Sequence, residues 1–175
     1  MTAREGSGRM NGGSALMAEW VGDLRAGVER QLGRTPEAAL HWRPARETNS
    51  IGDTVWHIAR WLDLVVMWLG NAAPETQHWI ADGWAARTGY DPRGLGTDGL
   101  GAISGYSFSE VEAIPKLRAD QLRAYLGAVC EDVIPKLAAA DDTVARRYKG
   151  VVQGIFGHLG EIAALRALYE RQTSG

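Results

Sequence analysis

The segment SIGDTVWHIARWLDLVVMWL, residues 50–69, decides the fold. Ile51, Val55, Ile58, Leu62, Val65 and Leu69 recur every three or four residues, one stripe of an α-helix, and Trp61, Leu64 and Trp68 form a second stripe. A helix that is apolar on nearly every side has to be surrounded, so this one is expected at the centre of the molecule. Asn49 and Ser50 stand before it as candidate N-caps, and Asp53 follows Ser50 by three residues, the spacing of a capping box. One imidazole interrupts the apolar run: His57, with Asp53 one turn before it.

Upstream, Met17, Trp20, Val21, Leu24, Val28 and Leu32 keep helical spacing and predict an amphipathic helix from Ser14 to Leu32, followed by the linker RTPEAALHWRPARETNS. Downstream, Leu117, Leu122, Tyr125, Leu126, Val129, Val133 and Leu137 predict a third helix over about Pro115–Ala139. SFSEVE offers a capped start before it, and Pro135 is expected to end or kink it. After a DDT turn, Ile155, Leu159, Ile162, Leu165, Leu168 and Tyr169 predict a fourth helix over Val151–Arg171. PETQHWIADGWAARTG has room for a short helix between the second and third, but seven glycines from Gly83 to Gly105 break every longer pattern and predict a long Gly-rich loop. Within it GLGTDG, residues 94–99, spells the dinucleotide fingerprint. That fingerprint functions only between a strand and a helix, and no strand precedes it. The fold expected is all-α, an antiparallel four-helix bundle. Residues 1–13 are expected to be a disordered tail and 14–172 a single domain.

At 175 residues and 45% hydrophobic, the chain is large enough for one core. Nineteen basic and 21 acidic residues are spread along it, net −2, with no basic stripe for a phosphate backbone, so nucleic acid is not an expected partner. No apolar run is long enough for a membrane span, and the one cysteine, Cys130, has no partner for an internal disulfide. A cytoplasmic setting is expected. Cys130 lies beside Glu131 and Asp132, which work against a thiolate, and it reads as a core thiol. Seven tryptophans against two phenylalanines divide between core volume and a pocket or interface where the indole N–H can be satisfied. His41 and His78 fall in connecting segments without ligand spacing. Arg166 is either an anion anchor in a cleft or a solvent-facing charge.

The fourth helix carries the other informative imidazole, His158 in QGIFGHLGEIAALR, with Glu161 at i+3 on its face. Helix bundles build metal sites from inward-facing histidines and carboxylates, although a lone histidine on an apolar helix is more often a hydrogen-bonded core residue. The two segments NSIGDTVWHIARWLD and GHLGEIAALRALYE, with SFSEVEAI and LRAYLGAV between them, resemble the DinB/YfiT-like superfamily over Ser14–Arg171. That resemblance implies an up-down-down-up four-helix bundle, a homodimer, and one divalent metal, zinc or nickel, held by three histidines. Two of the three map here, to His57 and His158. The middle ligand, four residues before the last, falls on Gly154, and the glutamine of the family's H-x-G-Q-I-x-x-L-R signature is Glu161.

The resemblance thus implies a metal-dependent S-transferase acting on a low-molecular-weight thiol, or a hydrolase, with an incomplete triad. His57 and His158 would be its metal ligands, and Glu161 or Asp53 the third ligand or the base. The alternative expectation is a non-catalytic small-ligand-binding or stress-related dimer that has lost the metal. Its ligand would sit over Gly154 between Trp56, Trp61 and Phe156.

Overall fold

Ser50 and Asp53 form the capping box that their spacing predicts. The Ser50 hydroxyl accepts from the Asp53 amide at 3.1 Å, and the Asp53 carboxylate accepts from the Ser50 amide at 2.9 Å. Behind this cap, α2 (Ile51–Leu69) buries fifteen of its nineteen residues, which gives it the central place its all-round apolarity demands. The computed structural model describes residues 12–174. Most of the expected N-terminal tail, residues 1–11, lies outside the described residues, and Gly13 already belongs to a helix.

The remaining elements are α1 (Gly13–Arg34), α3 (His78–Ala81), α4 (Trp84–Thr88), α5 (Phe108–Glu112), α6 (Ala119–Ala139) and α7 (Asp142–Thr173), with short 3-10 turns between some of them. The described residues are helical without any strand, and no helix is long and apolar enough to cross a membrane. α7 begins at Asp142, a good two turns before the expected Val151. The DDT segment reads as a turn, but Asp141 is an N-cap whose carboxylate accepts from the Thr143 amide, and Tyr148 beyond it is buried. α6 runs through Pro135 to Ala139. So close to the C-terminal end, the missing proline N–H costs one bond in the last turns and does not stop the helix.

α1 and α2 each pack against both α6 and α7. Ser14 meets Asp141 while Gly27 lies under Leu159, so α1 and α7 advance together. Thr54 meets Glu161, His57 meets His158 and Trp68 stacks on Tyr148, so α2 and α7 run in opposite senses. A Cβ at Gly27 would come within 2.9 Å of the Leu159 side chain, which makes this glycine the point where α1 and α7 approach closely.

The Gly-rich segment is ordered by its own backbone and by α2. Gly94 N–H donates to Gly99 O at 2.9 Å and Thr97 N–H to Ser104 O at 2.8 Å, so amides of the GLGTDG stretch are spent inside the loop. Gly96 has φ +66, and a Cβ there would sit 2.4 Å from Ser104 O, which only glycine tolerates. Two side chains of α2 hold the far end: Arg60 Nε–H donates to Gly101 O at 3.0 Å and His57 donates to Ala102 O.

Arg60 and Asp63 are both 0% exposed and 3.0 Å apart. Arg60 also donates to Gln77 Oε1, while Asp63 accepts from the Tyr125 hydroxyl and from the amides of His78 and Trp79. One buried ion pair therefore joins α2, α3, α6 and the loop. Around it Trp56, Trp79, Tyr90 and Tyr125 meet edge to face. Cys130 is buried and burial pushes its thiol up to about 12, in keeping with a core residue. His78 is only partly exposed, held between Asp82 and Asp132.

α7 carries Gly150, Gly154, Gly157 and Gly160, and a Cβ built on any of them meets nothing within 4 Å. Gly157→Ala is therefore expected to stabilise the protein by about 0.5–1 kcal/mol through helix propensity alone. The midpoint of urea unfolding checks this, and a lower midpoint would contradict the open surface at that position.

Candidate functional site

His57 and His158 come together from α2 and α7, with ring centroids 4.7 Å apart and planes at 88°. Each ring is fixed through Nδ1. His57 Nδ1 donates to Ala102 O at 2.5 Å; a carbonyl can only accept, so the proton is on Nδ1 and Nε2 carries the lone pair. His158 Nδ1 lies 2.5 Å from Glu161 Oε2, one turn along the same helix. The Thr54 hydroxyl shares its one proton between Ser50 O at 2.9 Å and the other Glu161 oxygen at 3.3 Å. The contact with His158 holds Glu161 below the usual carboxylate range, so the carboxylate is ionised and accepts the Nδ1 proton. Neither Nε2 atom has a hydrogen-bond partner among the described residues, and neither is sealed from solvent.

Both histidines line a pocket of about 260 Å³ between α2 and α7, walled by Trp61, Val151, Ile155 and the bare backbone of Gly150 and Gly154. Trp61 stands edge-on to His57 at 6.3 Å. Burial, and secondly the neighbouring His158, pull the His57 imidazolium down to about 4 from 6.5. The unfolded chain then takes up a proton as pH falls below 6.5 while the folded protein refuses it until about 4. Stability is expected to drop across that window by up to roughly 3 kcal/mol, with Glu161 adding loss in the same direction at its acid end. His57→Asn removes the titrating group and is expected to flatten that part of a pH series of denaturation curves; an unchanged profile would count against the assignment.

The structure brings His57, His158, Glu161, Trp61 and Gly154 together and leaves the other expected site residues elsewhere. Asp53 is 1% exposed and its oxygens face Ser50, Arg43 at 2.7 Å and Lys116 at 3.6 Å, so the carboxylate is occupied by the helix cap and two cations. Trp56 is buried against Trp79 and Tyr90 in the aromatic core. Phe156 lines a separate groove between α1 and α7, of about 430 Å³, with Trp20, Asp23 and Lys149. Arg166 pairs with Glu170 at 3.5 Å and does not line the histidine pocket. Two parts of the site were not singled out in the sequence. Thr54 shares the helical stripe of His57, which was a usable signal, whereas the Ala102 carbonyl has no side-chain signature at all.

A metal centre can be tested against these donors. Nδ1 contacts to a carbonyl and a carboxylate are the contacts that metal-ligating histidines make, and they leave both Nε2 atoms free. The third donor is missing: Gly154 has no side chain and Glu161 is engaged with His158. Among the described residues no group of three or more His, Cys, Asp or Glu side chains is placed to hold a metal ion. Two imidazoles do not make the three-ligand set of a catalytic zinc-type centre, so the residues present do not fit one.

Helices α1, α2, α6 and α7 define a helical protein in which the second and the last helix bring a histidine pair together. The family model of the DinB superfamily matches residues 23–168, and the chain belongs to the DinB superfamily. No curated protein matches it.

Proposed function

We propose that this DinB superfamily member is a small-ligand-binding protein, built as the up-down-down-up four-helix bundle of its family and lacking the three-histidine metal centre. The observation that carries this reading is Gly154, where a Cβ would meet nothing within 4 Å. The place of the family's middle ligand is thereby added to a pocket that the two histidines already line. Apolar walls with a few convergent polar atoms are the usual make-up of a small-molecule site.

Metal analysis of protein purified without chelator, together with a thermal-shift screen of small ligands, tests the proposal. Far less than one equivalent of metal is expected. A ligand at a hundred times its Kd should raise stability by about 2.7 kcal/mol. A full equivalent of tightly held metal, or no shift with any compound, would overturn it. A second reading, the metal-dependent S-transferase or hydrolase, is favoured by the Nδ1 contacts of the two histidines, and the same metal analysis decides between the two.

A further inference from the structure

The walls of the histidine pocket are unusual in what they lack. Two imidazoles line it with no protein partner on either Nε2, the Glu161 carboxylate stands behind one of them, and neither lysine nor arginine lines it. An anion placed there would meet lone pairs and a negative charge. A neutral alcohol brings one O–H for two acceptors. A bare metal ion needs a third protein donor, which the chain does not supply. A protonated primary amine carries three N–H donors of its own and one positive charge, so two acceptors and a nearby carboxylate suffice for it. The remaining surface suits an apolar substituent: Trp61 stands at the His57 edge, backed by Trp68, which stacks on Tyr148 with planes 2° apart, and Val151 and Ile155 lie opposite. An indole face beside an ammonium adds a cation–π attraction. At about 260 Å³ the pocket lies just under the size that takes drug-like molecules, so the occupant is small.

We propose that the pocket between α2 and α7 binds a small primary ammonium ion bearing an apolar group, its N–H bonds donated to the Nε2 atoms of His57 and His158, its charge balanced by Glu161 and its apolar part against Trp61. This rests on the pocket being a ligand site, and it names the chemical class of the ligand.

Isothermal titration of the chelator-treated full-length protein at neutral pH with benzylammonium chloride, benzyl alcohol and sodium benzoate tests it. Benzylammonium is expected to bind at least about tenfold more tightly than benzyl alcohol, and benzoate not at all. Glu161→Gln should bring benzylammonium down to the affinity of the alcohol, while Gly154→Trp, which fills the pocket, should abolish binding of both. Equal affinity for the alcohol, or binding of benzoate, overturns the amine assignment and leaves the ligand site standing. Binding that persists in Gly154→Trp places the amine elsewhere and overturns the assignment. Silence from all three compounds overturns the ligand site along with it.

Discussion

Arg60→Met is expected to cost this protein about 3–5 kcal/mol, because it leaves the Asp63 carboxylate buried without its counter-charge. Both side chains are fully buried, and Arg60 donates to three further groups besides Asp63: Gly101 O, Gln77 Oε1 and the Tyr125 hydroxyl. A domain of this size has only about 5–15 kcal/mol to lose, so the variant should show a large fall in the urea midpoint or fail to accumulate as folded protein. In a simple buried pair, replacing both partners with apolar residues often restores stability. Here it should not: Asp63 also accepts from the amides of His78 and Trp79, and a leucine would orphan both at the start of α3. Arg60→Met with Asp63→Leu is therefore expected to stay well below the parent protein. A loss under about 1 kcal/mol in the single variant, the range of an exposed pair, would show that the network is dispensable.

Gly154→His should give the chain the metal site that its own residues do not complete. The new imidazole stands four residues before His158 on the same face of α7, in a position where a Cβ meets no obstacle. Structural zinc sites with four ligands are worth about 10–16 kcal/mol in all, about 3 kcal/mol per ligand, so one added donor should tighten zinc or nickel by roughly a hundredfold. The substitution also trades glycine for a better helix former, so the fold should not suffer. Titration of parent and variant with nickel, read by calorimetry, makes the comparison. An unchanged affinity would mean that Gly154 does not occupy the place of the family's middle ligand.

The long helices were legible because a stripe of apolar residues at helical spacing can be satisfied in few other ways. α2 is the best case, with periodicity, a cap and burial all in agreement. The pairing of His57 with His158 came from resemblance, since no local pattern links residues a hundred positions apart. The pocket walls were misjudged where nearness in sequence stood in for nearness in space. Trp56 precedes His57 by one residue and is rotated about 100° away around the helix, and Phe156, two before His158, about 200°. Trp61 and Gly154, each one turn from a histidine, are the ones that line the pocket. Asp53 is also one turn from His57, but the capping box had a prior claim on its carboxylate. The tie from His57 to the Ala102 carbonyl was beyond reach, because a backbone acceptor leaves no mark on the sequence.

Four glycines in eleven residues of α7 also bear on motion. Each weakens the local helix by about 1 kcal/mol relative to alanine, and none is compensated by a close contact at its Cβ position. The stretch from Gly150 to Gly160 should thus open on its own far more often than the molecule unfolds, and its amides should exchange with deuterium ahead of those in α2. Gly150 and Gly154 are wall residues of the histidine pocket, so opening of this stretch also loosens one wall of that pocket. If the pocket binds the ligand proposed for it, occupation should be seen first as slowed exchange along that stretch.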